Sequence, residues 1–242
     1  MLKKSLLIFT AAAMLLLCLP AAALSPLDVY DPVGHTFSGV NAPYMTEGGL
    51  PSTTDFFTDA DFAENRITVL NLWDSSCLFC RLELPYFQQV SEDYASCGVR
   101  VVGVSSTRMG GTYPAAYEYL VEFGVTYTNL IVDDGLAEIV FQNANTPQTF
   151  FVNSEGTVMD YIREATTYEE LTEKLCALLY IAGDADANGE LTFADVTSAY
   201  IYMTGGAELN ALGRLNADFN GDGEVSFADI SALYLMMIGA NA

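Results

Sequence analysis

Basic residues are scarce in this chain of 242 residues. Lys and Arg number 9 against 31 Asp and Glu, with a single His, so the formal net charge is −22 at pH 7. Nucleic-acid binding needs clustered Lys and Arg that neutralise phosphates. Nucleic acid is therefore not expected as a partner, and the acidic excess needs another explanation.

Long apolar runs are also lacking, except for one at the N-terminus. Lys3 and Lys4 precede an apolar run over 6–17, and Pro20 and three alanines follow it. This layout predicts a signal peptide over 1–23, export to the outside of the cell, and no membrane span after cleavage. Cys18 would allow a lipid anchor, but the leucines before it lack the small residue that lipoprotein processing favours. Cleavage leaves 7 basic and 31 acidic residues, a formal net charge of −24.

The middle of the chain alternates short apolar runs with helical patterns. Residues 24–54 are rich in Pro, Gly, Ser, Thr and Asp and predict an irregular segment with room for one edge strand. Strands are predicted over 67–72, 99–105, 129–132, 149–152 and 157–162, and helices over 77–96, 113–123 and 167–181. Strand, helix and strand in that order predict a right-handed parallel crossover. Residues 55–181 are therefore expected to form one α/β domain.

Four cysteines remain after cleavage, and two of them are spaced as Cys77-Leu-Phe-Cys80. The pair follows a predicted buried strand and begins a helix, where unpaired N–H groups and the positive end of the helix dipole favour a thiolate. The i, i+3 spacing allows Cys80 to form a disulfide with Cys77. This pattern predicts thiol-disulfide exchange.

The sequence resembles the thioredoxin superfamily, in particular its extracytoplasmic reductases of cytochrome maturation. The resemblance rests on Asn71-Leu-Trp73, on the segment from Cys77 to Pro85, and on Thr146-Pro147-Gln-Thr-Phe-Phe151. It implies a thioredoxin-like α/β fold, with a central mixed sheet and flanking helices. It also implies an oxidoreductase without an organic cofactor that acts on thiols or disulfides of secreted proteins.

The same resemblance implies individual roles. Cys77 would be the nucleophile and Cys80 the resolving thiol, while Glu83 would tune the protonation of the dithiol. Pro147 would follow a cis peptide bond, and Thr146 would offer its backbone groups to a substrate. Two positions differ from the family pattern, because Ser76 replaces a common Trp before the first cysteine and Asn71 stands where cytoplasmic thioredoxins have a buried acid.

Several alternatives stay open on the sequence alone. The cysteine pair could be half of a zinc site, although Cys97, Cys176 and His35 show no second paired spacing. It could also be a structural disulfide in a redox-inactive thioredoxin-fold adaptor. Cys97 and Cys176 could form a second disulfide or remain buried thiols. A peroxiredoxin pattern would need Pro at 70 and Thr or Ser at 74, where the chain has Leu70 and Asp74.

After residue 182 the chain repeats itself at an offset of 34 residues. Residues 184–203 and 218–237 match at 8 of 20 positions. Each copy places oxygen-bearing side chains at the positions of a twelve-residue calcium loop, with glycine at position 6. The predicted ligands are Asp184, Asp186, Asn188, Glu190, Thr192 and Asp195 in the first loop, and Asp218, Asn220, Asp222, Glu224, Ser226 and Asp229 in the second. The glutamates would bind through backbone carbonyls, and Thr192 and Ser226 through water. Two calcium ions are therefore expected, and two solvated acidic turns are the alternative.

This repeat resembles a type I dockerin, with Asp at position 12 and an apolar helix directly after each loop. The resemblance covers 183–240 and implies a small all-α domain over 182–242 that binds a cohesin domain of a scaffold protein, as in a cellulosome. Positions 10 and 11 of each loop, which help choose the cohesin in that family, are Phe193-Ala194 and Phe227-Ala228 here. Because both copies carry the same pair, either could face the cohesin. A calcium-dependent stabilising cap is the alternative role.

Overall fold

The computed structural model describes residues 30–239, so the predicted signal peptide and Cys18 lie outside the described residues. The strands are β1 (Asn41–Thr46), β2 (Leu50–Thr58), β3 (Ile67–Asp74), β4 (Val99–Ser106), β5 (Thr128–Ile131), β6 (Gln148–Asn153) and β7 (Val158–Ile162). The helices are α1 (Leu78–Asp93), α2 (Tyr113–Glu122), α3 (Asp134–Val140), α4 (Tyr168–Leu179), α5 (Phe193–Met203), α6 (Ala211–Ala217) and α7 (Phe227–Met237). Among these helices, none combines the length and apolarity that crossing a membrane requires.

The seven strands form one mixed sheet in the order β2-β1-β5-β4-β3-β6-β7. Strands β3, β4 and β5 run parallel, and β6 pairs antiparallel with β3. Every residue of β3 is buried, which fits its continuous apolar and β-branched sequence and its central place between β4 and β6. Helix α1 connects β3 to β4, as the order of the predicted elements indicated. The thioredoxin-like α/β fold expected from the sequence is confirmed.

The N-terminal segment differs from the prediction. Residues 24–54 were expected to be irregular with room for one edge strand, but two strands, β1 and β2, form an antiparallel hairpin, and β1 joins the sheet by pairing Tyr44 with Leu130 of β5. Two prolines interrupt the apolar alternation, Pro43 in β1 and Pro51 in β2, so the local pattern is weak. The sheet therefore begins at residue 41 rather than after residue 55, because pairing with a distant strand overrides local preference.

The C-terminal module, defined here as residues 182–239, contains α5, α6 and α7 and no strand among its residues. Helix α6 lies between the two repeats and was not predicted. Small apolar residues fill the space between α5 and α7, including Ala185, Ala199 and Ala217. The module is thus all-α, as the sequence indicated.

The module packs directly on the α/β domain, within one compact unit that begins at residue 31. Ala187 and Leu212 are fully buried members of the same core cluster as Phe87 and Leu175. Arg66, just before β3, donates hydrogen bonds to the carbonyls of Leu179 (3.1 Å) and Ala187 (3.4 Å). The predicted boundary at residue 182 therefore does not coincide with a gap between two separate cores.

This shared core leads to a stability prediction. Leu212→Ala should lower the free energy of unfolding by about 2–5 kcal/mol, because it leaves a cavity at a fully buried site. The loss should be visible in the fluorescence of Trp73, the only Trp, which lies in β3 of the α/β domain. Leu215→Ala is the matched control, since Leu215 is 45% exposed on the same helix. A Trp73 transition that is unchanged by Leu212→Ala would show that the two parts unfold independently.

Candidate active site and acidic loops

The cysteine pair lies where β3 ends and α1 begins. Cys77 is the N-cap residue of α1, and its Sγ accepts a hydrogen bond from the N–H of Cys80 at 3.2 Å. The two residues form a disulfide with Cα atoms 5.3 Å apart. Cys80 is fully buried, whereas Cys77 is partly exposed. An incoming sulfur can therefore reach Cys77 but not Cys80.

The loop before β6 forms the other side of the site. The Thr146–Pro147 peptide bond is cis, as the resemblance implied. The carbonyl oxygen of Thr146 lies 3.7 Å from Cys77 Sγ. Gln148 fixes this loop, because its Nε2 donates to the carbonyls of Val140 and Asn145 while its Oε1 accepts from the hydroxyl of Tyr161. Sequence reasoning missed the role of Gln148, which only the pairing of β6 with β7 makes evident.

Glu83 lies one helical turn after Cys80 and is buried on the same inward face of α1. Its carboxylate accepts hydrogen bonds from Asn71 Nδ2 at 2.8 Å and from the N–H of Thr166 at 3.2 Å. Burial raises the pKa of Glu83 to about 7, although these two hydrogen bonds oppose the increase. A carboxyl group with this pKa can hold or release a proton beside the dithiol near neutral pH.

Trp73 is fully buried under the site rather than exposed beside Cys77. Its Nε1 donates to Asn129 Oδ1 at 3.1 Å, and it packs in a cluster with Cys80 and Leu84. Trp73 therefore supports the first turn of α1 from below, and it is not available to a substrate.

The α/β domain is similar in sequence to known redox proteins. Residues 49–161 match the model of the AhpC/TSA family. The thiol:disulfide interchange protein HelX of Rhodobacter capsulatus is 34% identical over 131 residues, which cover 54% of this chain and 69% of HelX. The chain belongs to the thioredoxin-like thiol:disulfide interchange proteins.

A second relative matches over a shorter stretch. The thiol-disulfide oxidoreductase ResA of Oceanobacillus iheyensis is 26% identical over 108 residues, which cover 45% of this chain and 55% of that protein. A solved structure of dsbF from MTB has 26% sequence identity and a TM-score of 0.46, covering 57% of this chain and 93% of that chain. The family relationship thus identifies the chain as an oxidoreductase. The AhpC/TSA match ends at residue 161, so the dockerin resemblance of the C-terminal module stays a prediction.

Cys97 and Cys176, the two cysteines outside the pair within residues 30–239, are free thiols. Cys97 is buried, and its Sγ lies 3.1 Å from Asn210 Nδ2 of the C-terminal module. Cys176 lies 3.6 Å from the hydroxyl of Tyr94. Burial raises the pKa of the Cys97 thiol, although hydrogen bonds from Asn210 and Ser96 oppose the increase. The structure therefore contradicts a Cys97–Cys176 disulfide and makes Cys97 an inert thiol at neutral pH.

The two acidic loops have the same local conformation. Asp184 accepts hydrogen bonds from the N–H groups of Asn188 and Gly189, and Asp218 accepts the equivalent bonds from Asp222 and Gly223. The last acid of each loop forms a capping box with the residue at position 9: Asp195 with Thr192, and Asp229 with Ser226. The end of each loop therefore also forms the N-terminal cap of the helix that follows, α5 or α7.

The first loop brings three carboxylates together. Single ligand atoms of Asp184, Asp186 and Asp195 all lie within 4.8 Å of one another. Burial raises the pKa of Asp184, and the nearby charge of Asp195 adds to this increase. A hydrogen bond from the N–H of Gly189 opposes it. An all-oxygen donor set with this spacing fits a hard cation such as calcium. The second loop is more exposed, with the side chains of Asn220 and Asp222 open to solvent.

The predicted partner-binding residues are exposed in both repeats. Phe193 is 54% exposed and Phe227 is 67% exposed, and Ala194 and Ala228 beside them are also exposed. The ring of Phe193 lies 6.2 Å from that of Tyr234. The two repeats therefore present their position-10 aromatics on one module surface, on either side of Tyr234.

The protonation of Glu83 makes stability depend on pH. Between about pH 4.5 and pH 7 the unfolded carboxyl group is ionised while the folded one still holds its proton, so stability falls as pH rises, by about 3 kcal/mol in total. Glu83→Gln should remove this decrease, measured as the difference in urea unfolding between the variant and the unmodified protein at pH 5, 6, 7 and 8. Glu92→Gln, at an exposed position of the same helix, is the control. An unchanged pH profile in Glu83→Gln would contradict a raised pKa.

Proposed function

We propose that this protein exchanges thiols and disulfides with other secreted proteins through Cys77 and Cys80, and that its C-terminal module attaches it to a cohesin-bearing scaffold in the presence of calcium. The observation that carries the redox proposal is the arrangement of the two sulfurs. Cys77 is partly exposed at the N-terminus of α1, and Cys80 is buried directly behind it. A disulfide with a purely structural role would gain nothing from an accessible first sulfur.

The exchange proceeds in two displacements. A substrate thiolate attacks Cys77 Sγ, the Cys77–Cys80 bond breaks, and Cys80 leaves as a thiolate. A second substrate thiolate then attacks the substrate sulfur of the mixed disulfide, and Cys77 leaves. Two electrons pass from the substrate to the protein, and the released thiolates take up protons. The reverse sequence starts from the reduced pair and reduces a substrate disulfide, so the relative potentials decide the direction.

The neighbouring residues support these steps. Thr146 offers its carbonyl oxygen next to Cys77, where the backbone of a substrate can pair with it. Pro147 shapes the loop that carries this carbonyl. Glu83, with its pKa near neutral, is proposed to donate a proton to the Cys80 thiolate when the disulfide opens and to accept the proton again when the disulfide forms.

The calcium proposal rests on the oxygen donors of the two loops. Asp184, Asp186 and Asp195 fit one ion by their mutual distances, and the same backbone turns in the second loop support a second ion held by Asp218, Asn220, Asp222 and Asp229. Bound calcium would neutralise carboxylates that otherwise repel each other. Because the ion binds only the folded loop, it would stabilise the module by mass action.

The cohesin proposal rests on the exposed apolar surface of the module. A groove of about 370 Å³ runs along α5 and α7, lined by Val196, Phe227, Ile230, Ser231, Tyr234 and Leu235. Large exposed apolar side chains that cluster on one surface are typical of a protein-binding site. The protein is accordingly proposed to act outside the cell, at the surface where the scaffold is displayed.

The redox proposal predicts that Cys77→Ser abolishes the reduction of insulin disulfides in the presence of a small dithiol as the electron donor. Cys80→Ser should instead accumulate mixed disulfides with secreted proteins, because Cys77 can attack but no second thiol resolves the product. Cys176→Ser is the control, since Cys176 lies in α4 and forms no disulfide. Insulin reduction that persists unchanged in Cys77→Ser would favour the redox-inactive adaptor.

The scaffold proposal predicts calcium-dependent binding to a member of a panel of cohesins, lost on addition of a chelator. Phe193→Asp and Phe227→Asp should each retain binding, because the other repeat can turn toward the cohesin, and the double variant should lose at least about a hundredfold in affinity. Met159→Asp, at an exposed apolar position of β7, is the control. Absence of binding to every cohesin in saturating calcium would leave the module with the role of a calcium-dependent cap.

A further inference from the structure

Arg66 connects the α/β domain to the first acidic loop. Its side chain donates hydrogen bonds to three backbone carbonyls, those of Leu179 at 3.1 Å and of Cys97 and Ala187 at 3.4 Å each. Leu179 ends α4 and Cys97 precedes β4, whereas Ala187 is position 4 of the first loop. The N–H of Arg66 donates to the carbonyl of Gly98 at 2.8 Å, which fixes the base of the side chain. One guanidinium group therefore holds the loop on two elements of the α/β domain.

The backbone of the first loop is fitted to this contact. Ala187 has a φ of +58°, in the left-handed region that favours glycine, and it is fully buried in the core cluster that contains Phe87 and Leu175. Burial of its methyl group offsets the unfavourable backbone conformation. Gly189, at position 6, is so close to Arg66 that a Cβ atom would lie 2.9 Å from the guanidinium carbon. Positions 4 and 6 thus face the α/β domain, while positions 1, 3 and 12 bring their carboxylates together.

Helix α6 holds the start of the same loop. Asn216 of this helix is fully buried, and its Nδ2 donates to the carbonyl of Asp184 at 2.9 Å while its Oδ1 accepts from the N–H of Ile181 at 3.2 Å. Asn210, the N-cap residue of α6, lies with its Nδ2 3.1 Å from Cys97 Sγ. The first predicted ligand of the loop is therefore fixed, through α6, to the α/β domain.

The second loop has a different environment. Its position 4 is Gly221, with a φ of +74°, and its position 6 is Gly223. Apart from the chain neighbours of these glycines, a Cβ atom at either position would meet no atom within 4 Å. Both glycines are exposed. A segment with few packed neighbours opens locally at a lower free energy than a segment that belongs to a core.

We infer that the first acidic loop is a structural part of the redox domain, so that calcium bound there stabilises the fold around the dithiol. Calcium in the second loop stabilises only α7 and its packing on α5. Arg66 and Ala187 are the positioning residues that join the first loop to the α/β domain. The inference rests on the proposed calcium binding and extends its effect from the C-terminal module to the catalytic domain.

Thermodynamic linkage gives the physical reason. A ligand that binds only the folded state stabilises the unit that must unfold for its site to be lost. Ala187 shares a core with Phe87 and Leu175, so the first site and the α/β domain are lost together. The coupling is reciprocal, because the folded α/β domain keeps the first loop in its binding shape. Calcium is thus a stabilising ligand of the oxidoreductase fold and not of the module alone.

Thermal unfolding of the full-length protein, followed by the fluorescence of Trp73, tests the inference. Trp73 is buried and packs with Cys80, so its transition reports on the fold around the dithiol. With the Cys77–Cys80 disulfide intact, calcium at about a hundredfold above its Kd should raise the midpoint by at least about 5 °C relative to a chelator. Asp186→Ala should abolish this shift, and Asp222→Ala, in the second loop, should preserve it.

The two variants are matched in what they remove. Each deletes one predicted ligand whose carboxylate accepts an N–H hydrogen bond from the residue two positions further on. Asp186 accepts from Asn188 at 3.1 Å, and Asp222 accepts from Glu224 at 3.0 Å. Calorimetric titration with calcium should show two ions bound by the unmodified protein and one bound by each variant.

The combined variant Arg66→Met with Ala187→Gly tests the contact itself. It removes the hydrogen bond and the buried methyl group, and it keeps a long side chain at 66 and a left-handed turn at 187. We expect the calcium-induced shift of the Trp73 midpoint to fall at least twofold while two ions still bind, because the first loop can then open without the α/β domain. Arg214→Met is the control, since Arg214 donates to the carbonyl of Leu209 inside the module.

The outcomes separate the two proposals. Two bound ions without a shift of the Trp73 midpoint, or an equal loss of the shift in Asp186→Ala and Asp222→Ala, would overturn the inference and leave the proposed calcium binding intact. Absence of any bound ion in the titration would overturn both. A shift that is unchanged in the combined variant would remove the coupling role from Arg66 and Ala187.

Discussion

The burial of β3 on both faces is the constraint on which the active site depends. A strand that is covered by helices and paired on both edges cannot shift its register without exposing apolar residues. Its last residue, Asp74, therefore has a fixed position, and the turn after it places Cys77 at the N-terminus of α1. The helix then sets the depth of the pair, with Cys77 at the surface and Cys80 in the core.

The C-terminal module depends on the same core. Arg66 precedes β3 and binds the carbonyl of Ala187, which is the fourth residue of the first acidic loop. Gly189 of that loop comes so close to the Arg66 side chain that a Cβ atom would lie 2.9 Å from it. The first loop is thus held against the α/β domain, whereas the glycines of the second loop have open space around them. The two copies of the repeat therefore lie in different environments. The first loop is supported by Arg66 of the α/β domain, whereas the glycines of the second loop have no such neighbour.

This arrangement separates the two proposed activities on one molecule. The redox site lies at the N-terminal end of α1, and the contact with the C-terminal module involves residues before β3 and after α1, such as Arg66 and Cys97. The exposed aromatics Phe193 and Phe227 belong to the module and take no part in that contact. A scaffold could therefore hold the protein by these aromatics while the surface around Cys77 stays accessible to substrates.

The sequence by itself determined the elements whose signals are local. The Cys-x-x-Cys pair, the strand before it and the repeated acidic loops follow from short motifs with defined spacing, because caps and turns are set within a few residues. The cis Thr146–Pro147 bond was implied by the family resemblance and not by the local sequence alone. The tertiary structure alone decided the rest. Strand β1 exists because it pairs with β5, Glu83 has a raised pKa because the fold buries it, and the loop after β4 lies against the end of β3 because Asp74 accepts a hydrogen bond from the N–H of Met109, 35 residues away. These features depend on contacts between residues far apart in the chain, and no local pattern encodes them.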